Sequence, residues 1–496
     1  MTRAHAIMLQ GTGSHVGKTV LAAGLCRLLA QDGLRVAPFK SQNMSLNAHV
    51  TMDGLEMGWA QAMQAEAAGV PARVEMNPIL LKPRADATSQ VVVLGKALRD
   101  MPAQEYYRHA GRLWPAVRAS YATLARESDV MVIEGAGSPA EPNLMRRDLA
   151  NMRVAAMAKA PVLLVGDIDR GGAFASLVGT MAILKPPDGR RVAGFVVNKF
   201  RGDAKLLAPA LRHLERRARR PVLGVVPYLP DLALPEEDSV ALERRSLPPA
   251  VGPAVIPTVA IVRLPHIANF TDFAPLESEP DVRVVYAGSP VEMSGAALVI
   301  LPGSKDTIAD LRWLKSRGFG DALAAHIRGG GALLGICGGY QMLGRMVADP
   351  HDVESGGAEA GLALLPLSTT LEPLKVTQRV KARLLPDGPD FEAYEIHAGA
   401  TRIESDVAPF CVVGGVPDGA VSRDGRVRGT YLHGLLEVGA VRRSILEWAG
   451  AIPGGTTTAS DHRWLREAGY DRLAETLRGA LDMGAVYQLL RRSGVS

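Results

Sequence analysis

The chain has 496 residues, which at about 150 residues per domain allows two or three domains. Apolar residues make up 47% and charged residues 22%, an ordinary globular balance that excludes wholesale disorder. The net charge of +5 is too dilute over this length to suggest a nucleic-acid binder, and it suits an acidic small-molecule substrate. Three cysteines (Cys26, Cys337 and Cys411) are too few for a disulfide framework. No apolar run approaches about 18 residues, so no membrane span is expected. The first apolar run, from His5 to Gln10, is too short for a signal-peptide core. A cytoplasmic protein without membrane or nucleic-acid partners is the expectation.

In chain order, strand-like β-branched runs fall at Ala6–Gln10, Arg35–Phe39, Val91–Leu94, Val130–Glu134, Val162–Gly166, Val192–Asn198 and Val222–Val226. Helical patterns separate several of them. After the first loop, Leu21, Leu25, Leu28 and Leu29 share one helix face. Strand, helix and strand in repetition predict an α/β domain over residues 1–230, with a parallel sheet covered on both faces. A proline-rich stretch around Pro227–Pro257 predicts a linker, placed at residues 231–256. The pattern restarts with Val259–Val262, Val282–Tyr286, Leu298–Leu301 and Ala332–Ile336. Short, turn-separated runs from Gly361 to Thr430 predict a mixed or antiparallel β portion. These make a second α/β domain over residues 257–448. A helical tail is expected at 449–496, with helical period from Trp464 to Leu490.

The segment Gly11-Thr-Gly-Ser-His-Val-Gly-Lys-Thr19 stands between a predicted strand and a predicted helix. In that setting backbone N–H groups and a helix N-terminus surround phosphate oxygens. Gly13, Ser14 and Gly17 would line the loop, Lys18 would reach the β/γ-phosphates, and the Thr19 hydroxyl would ligate magnesium. The common loop carries a glycine where this chain has Thr12, so this is a variant. Glu134, at the end of a hydrophobic strand and before Gly135 and Gly137, is the candidate carboxylate for the metal. Asp53 and Glu56 are weaker candidates. Lys40, after the second strand, would hold substrate or phosphate. Gly166–Gly172 follows a buried strand, where α/β sheets bind ligands, and Asn198 closes another strand with an amide able to pair with an adenine edge.

The most informative stretch is Ala332-Leu-Leu-Gly-Ile-Cys-Gly-Gly-Tyr-Gln-Met-Leu343. A buried strand runs into Cys337 and then a helical pattern, the layout of a nucleophile elbow. The helix dipole there favours a thiolate. His433, in Thr430-Tyr-Leu-His-Gly434, is the candidate base. Gly303, in Leu301-Pro-Gly-Ser304, would join Gly338 in an oxyanion hole. Cys26 and Cys411 are read as packing residues.

Gly-Ile-Cys-Gly-Gly-Tyr-Gln with a distant Tyr-Leu-His-Gly resembles the class I glutamine amidotransferases. That resemblance implies Cys337 as nucleophile, His433 as base, Gly303 and Gly338 at the oxyanion and Gln341 on the substrate glutamine. Most of that family carries a glutamate shortly after the histidine, where this chain has Leu435, with Glu437 further on. The N-terminal half resembles the dethiobiotin synthetase-like ATPases, whose phosphate loop shows the same variation. Fused in this order, the halves resemble the corrinoid amidotransferases over nearly the whole chain, on Lys40-Ser-Gln-Asn-Met-Ser-Leu-Asn47, Glu134–Ser138, Val197–Gly202 and Tyr394-Glu-Ile-His397 besides the motifs above. One branch of these enzymes, acting on cobyrinic acid, typically has an aspartate-bearing segment where Asn43 and Asn47 stand here.

The resemblance therefore implies ATP, Mg2+ and glutamine, and a corrinoid partner: adenosylcobyrinic acid a,c-diamide, amidated at its b, d, e and g carboxylates. Asn43 and Lys40 would meet substrate or phosphate, and Tyr394, Glu395 and His397 would face the substrate or an ammonia path. The alternatives are the same chemistry on cobyrinic acid, a partition-type switch ATPase, and an inactive glutamine domain supplied with ammonia from solution.

Overall fold

The computed structural model describes residues 4–84, 87–230, 232–234, 256–404, 407–454 and 460–493. The chain divides into two compact units. One comprises Met1–Ser45, Glu56–Leu234 and Leu465–Ser496; the other comprises Leu46–Leu55 and Pro235–Trp464. Apart from 232–234 and 256, the expected linker lies outside the described residues.

The first unit is built on a six-stranded parallel sheet. Its order is Val222–Pro227, Val192–Phe200, Val162–Asp167, His5–Gly11, Val130–Glu134 and Val36–Phe39. Every residue of Val130–Glu134 and of Val162–Asp167 is buried. Unbroken apolar runs of this kind are what a sheet covered on both faces requires. The sheet brings Gly11, Glu134 and Asp167 to its carboxyl edge.

The Val91–Leu94 run lies outside this sheet. Val91–Val93 ends the strand Thr88–Val93, in a separate four-stranded sheet with Gln42–Met44, Ile79–Pro83 and Lys96–Pro102. Leu94 (φ 47°) and Gly95 (φ 77°) are both left-handed and turn the chain back as a hairpin. Two successive positive φ angles match the twist of antiparallel partners, so no crossover follows.

The C-terminal helices, His462–Ala480 and Met483–Ser493, do not form a tail of their own. Tyr470, Leu473 and Leu477 are buried in one cluster with Leu21, Leu25 and Leu28 of the helix Lys18–Gln31. Gly24 on that helix makes room: a Cβ there would come within 2.5 Å of Leu477 Cδ1. Glu66 accepts hydrogen bonds from Tyr470 Oη (2.8 Å) and Arg466 Nε (2.9 Å). Residues 449–464 stay with the other unit.

That unit carries a second sheet, ordered Arg283–Ala287, Thr258–Val262, Leu298–Leu301, Ala332–Ile336, Val427–Thr430 and Ala420–Val421. The first five strands are parallel and the last is antiparallel. The mixed β portion is present as expected: Leu367–Leu384 pairs antiparallel with Asp390–Ile403 and parallel with Met346–Asp349. In both units the fold is α/β with parallel central sheets.

Candidate active sites

In the first unit the loop after His5–Gly11 leads into the helix Lys18–Gln31, whose N-cap, Gly17, has φ 95°. The loop is closely fitted. Asn198 Nδ2 donates to Val16 O at 2.9 Å, and a Cβ on Gly17 would lie 2.2 Å from that same nitrogen. Asn198, expected at an adenine edge, braces the loop through its amide nitrogen. Lys199 Nζ donates to His15 O (2.7 Å) and to Asp167 Oδ2 (3.0 Å), so the Gly166–Gly172 segment also supports the loop. Lys18 Nζ donates to Gly13 O (2.9 Å) and Gly137 O (3.1 Å), which ties the loop to the chain that follows Glu134. Ser14 is exposed at the loop's turn.

Glu134 is the centre of this site and is almost wholly buried. Its Oε1 accepts from Thr19 Oγ1 (2.8 Å) and Lys40 Nζ (2.8 Å), and its Oε2 accepts from Gln64 Nε2 (2.6 Å). The three residues expected at phosphate and metal, Thr19, Lys40 and Glu134, are thus brought together. Asp53 is not among them: it is exposed, in a turn of the Leu46–Leu55 segment, which belongs to the other unit. Glu56 forms a buried ion pair with Lys82 at 2.6 Å. Asn43 is buried and donates from Nδ2 to Gln61 Oε1 at 3.1 Å.

In the second unit Cys337 ends the strand Ala332–Ile336 and caps the short helix Gly338–Met342. It has φ 51° and ψ −109°, a conformation that non-glycine residues avoid and that concentrates at functional turns. A Cβ on Gly339 would lie 2.0 Å from Leu301 O, so only glycine fits the elbow. A Cβ on Gly303 would lie 3.2 Å from His433 Cε1 and 3.8 Å from Cys337 Cβ. One on Gly338 would meet Ser304 N at 2.8 Å. Backbone from residues 303–304 and 337–338 thus converges on the space beside nucleophile and base.

His433 is oriented by a residue that the sequence pattern does not reveal. Its Nδ1 lies 2.6 Å from Asp272 Oδ2, and Asp272 Oδ1 accepts from Gly434 N at 3.2 Å. Burial disfavours the imidazolium, but the Asp272 carboxylate and Cys337 outweigh it and raise His433 to about 10. An imidazolium beside the cysteine is the pairing that thiol nucleophiles use. By contrast, burial pushes Cys26 far above its ordinary range and Cys411 up to about 12, as suits packing residues. Glu437 lies 3.7 Å from His462, and Leu435 is buried in the core. Tyr394 stacks on the His433 ring, with centroids 5.2 Å apart and planes at 18°.

Gln341 is buried with both ends of its amide engaged. Thr307 Oγ1 donates to its Oε1 (3.2 Å), and its Nε2 donates to Tyr431 Oη (3.2 Å). Gln341, the residue expected at the substrate glutamine, is held by these two bonds beside the nucleophile's helix. His397 stacks on Tyr431 at 3.8 Å, and its Nε2 lies 3.7 Å from Glu395 Oε1.

Comparison with known proteins fits both sites. Residues 7–241 match the CobQ/CobB/MinD/ParA nucleotide binding domain, and residues 258–441 match the CobB/CobQ-like glutamine amidotransferase domain. The cobyric acid synthase of Geobacillus kaustophilus is 48% identical over 505 residues, covering 100% of this chain and 99% of the relative. The chain belongs to the cobyric acid synthase family. That of Sorangium cellulosum is 49% identical and covers 96% of both chains; that of Moorella thermoacetica is 50% identical, covering 89% of this chain and 88% of the relative. Like the rest of the family, the chain is an ATP-dependent ligase that uses glutamine. No helix among the described residues is long and apolar enough to cross a membrane.

Proposed function

We propose that this enzyme amidates the b, d, e and g carboxylates of adenosylcobyrinic acid a,c-diamide in cobalamin biosynthesis, in the cytoplasm. The observation that carries the reading is one chain holding a Cys337–His433–Asp272 constellation and a Thr19–Lys40–Glu134 phosphate site, within full-length likeness to cobyric acid synthases.

At the first site, glutamine's side-chain carbonyl carbon would accept the Cys337 sulfur, with the oxyanion directed at the N–H groups of Gly303 and Gly338. His433, carrying the proton, would donate it to the departing ammonia, and water would then clear the glutamyl thioester with His433 as base. Asp272 holds the imidazole by Nδ1, so that Nε2 is the atom that exchanges protons.

At the second site a substrate carboxylate is a poor electrophile and must first become an acyl phosphate. Its oxygen attacks the γ-phosphorus of ATP, ADP leaves, and ammonia then displaces phosphate from the acyl carbon. Lys18 and Lys40 neutralise phosphate charge as it is transferred. The donor set fits a hard divalent cation: Thr19 Oγ1 and Glu134 would hold Mg2+, and the buried amide oxygens of Gln10 and Gln64 have no hydrogen-bond partner among the described residues. Bound there, magnesium supplies charge neutralisation for the transferring phosphoryl group.

The decisive test is mass spectrometry of adenosylcobyrinic acid a,c-diamide after incubation with enzyme, Mg-ATP and amide-15N glutamine. Four labelled amides are expected with wild type. None is expected from glutamine with Cys337→Ala, which ammonium should rescue. No amidation of that substrate from either nitrogen source would overturn the assignment and leave another corrinoid acid, cobyrinic acid first, as the substrate to test.

A further inference from the structure

Asp310 takes no part in the chemistry above, yet this acid is wholly buried in the glutamine unit. It lies in the first turn of the helix Thr307–Ser316, which follows the strand Leu298–Leu301. Removing an acid from water is costly unless it is paired and hydrogen-bonded. Here both oxygens are engaged. Oδ2 accepts from Ser304 Oγ at 2.6 Å, and Oδ1 lies 2.8 Å from His266 Nδ1. The backbone N of His266 stands 3.2 Å from each oxygen. The bond to Asp310 raises the half-buried His266 imidazole above its ordinary range against the effect of burial, and Asp306 and Glu354 add to the rise.

These bonds clamp two chain segments together at the edge of the cysteine site. Lys305 N donates to His266 O and Ala268 N donates to Gly303 O, both at 2.9 Å. The two bonds flank a bridge between Ile267 and Ser304, and they use neither the N nor the O of Ser304. In a trans peptide the carbonyl and the N–H point in opposite directions. With Gly303 O turned to Ala268, the Ser304 N–H is turned away from it. Ser304 N stands against the cysteine elbow: a Cβ on Gly338 would lie 2.8 Å from it. The hydroxyl of the same serine is anchored twice, because it donates to Asp310 and accepts from Asp306 N at 3.0 Å.

We propose that Asp310 and Ser304 are positioning residues for the oxyanion hole. The buried acid fixes the Ser304 hydroxyl, and through it the Gly303–Ser304 peptide, so that the backbone N–H groups of this turn face the developing oxyanion together with that of Gly338. His266 holds the other oxygen of Asp310 and keeps the acid from turning. Donors held in place before reaction cost no reorganisation when charge develops, so these bonds act on turnover more than on glutamine binding. The inference rests on the assignment of Cys337 and His433 to glutamine hydrolysis, but not on the identity of the acid that is amidated.

The test compares two reactions of Cys337 in the full chain. Glutamine hydrolysis passes through an oxyanion. Alkylation by iodoacetamide forms a sulfur–carbon bond as iodide leaves a saturated carbon, and no oxyanion develops. Ser304→Ala and Asp310→Asn are each expected to lower kcat for glutamine by about 10- to 100-fold, below the cost of deleting a donor outright. KM for glutamine and the alkylation rate of Cys337, followed by mass spectrometry, should both stay within about twofold of wild type. The double variant should be no slower than the slower single one, because the two side chains act as a unit. A kcat for Ser304→Ala within twofold of wild type overturns the proposal, whatever Asp310→Asn does to folding. So does an alkylation rate that falls in step with hydrolysis, or losses that add in the double variant. Glutamine hydrolysis that survives Cys337→Ala would instead overturn the site assignment beneath it.

Discussion

Asp272 Oδ2 lies 2.6 Å from His433 Nδ1 although 161 residues separate them in the chain. The carboxylate that the class I resemblance places shortly after the histidine is supplied here from the turn Phe270–Phe273, far upstream and before the strand Arg283–Ala287. The relationship turns a cysteine–histidine pair into a triad by geometry. It also places a negative charge where an imidazolium needs one.

Replacing Asp272 by asparagine keeps the shape and removes the charge. The wild-type His433 is held at about 10, so its imidazolium persists through neutrality. Without the carboxylate its pKa falls towards the ordinary value of about 6.5. The sign follows: the alkaline limb of glutamine hydrolysis moves down by several pH units, and the rate at pH 8 drops by about 10²- to 10⁴-fold. The imidazolium's contribution to stability, full below about pH 6.5 and lost as pH rises through about 10, disappears in the variant. Initial rates against pH for the two proteins check this; superimposable profiles would remove Asp272 from the mechanism.

What could be read from the sequence was local. The phosphate loop and the cysteine elbow each join a strand to a helix through glycines, and Gly17 and Gly339 are required by the backbone at their own positions. Glu134 was legible because it ends a buried strand. Asp272 was not, because the turn Phe270–Phe273 has neither a periodic pattern nor a fixed spacing to the histidine. The one available signal was negative: Leu435 left the expected carboxylate position empty of charge. The destination of the C-terminal helices was hidden for a similar reason, since the apolar face of Tyr470, Leu473 and Leu477 states that it needs a partner but not which one.

A glutamate at position 435 should not restore the conventional arrangement. Leu435 is fully buried in the glutamine unit's core, and the helix that follows begins at Gly439. A carboxylate there has no partner and loses its hydration, a cost of several kcal/mol. Leu435→Glu is therefore expected to lower the denaturation midpoint markedly. Combined with Asp272→Asn, it should recover none of the lost glutamine hydrolysis. Chemical denaturation and steady-state kinetics on the double variant decide the matter; regained activity would show that the glutamate reaches His433.

The packing of the C-terminal helices predicts which activity they sustain. Leu473 is buried beside Gly24, on the helix that begins with Lys18 and Thr19. Leu473→Ala opens a cavity behind that helix and should cost about 2–5 kcal/mol. ATP-dependent amidation with ammonium should then be lost at a lower temperature than glutamine hydrolysis. Heat inactivation followed by the two assays tests this, and equal losses would count against a role confined to the nucleotide-binding unit.

Glu134 combines structural and chemical duties that substitution can separate. It is buried in an ion pair with Lys40, whose side chain is 5% exposed against 1% for Glu134. Glu134→Gln removes the carboxylate that balances the lysine's buried charge, so a loss of about 3–5 kcal/mol in stability is expected. Amidation should vanish with either nitrogen source, while glutamine hydrolysis survives. Pairing Glu134→Gln with Lys40→Met removes both charges and should return most of the stability, because an apolar pair of similar volume avoids the desolvation cost. It should return none of the amidation, since Thr19 and the phosphate loop then lack both the carboxylate for a divalent cation and the second lysine for the transferred phosphoryl. Thermal melts beside ammonium-driven amidation give both readings. Recovered amidation in the double variant would reduce Glu134 and Lys40 to a structural pair and move the metal site elsewhere.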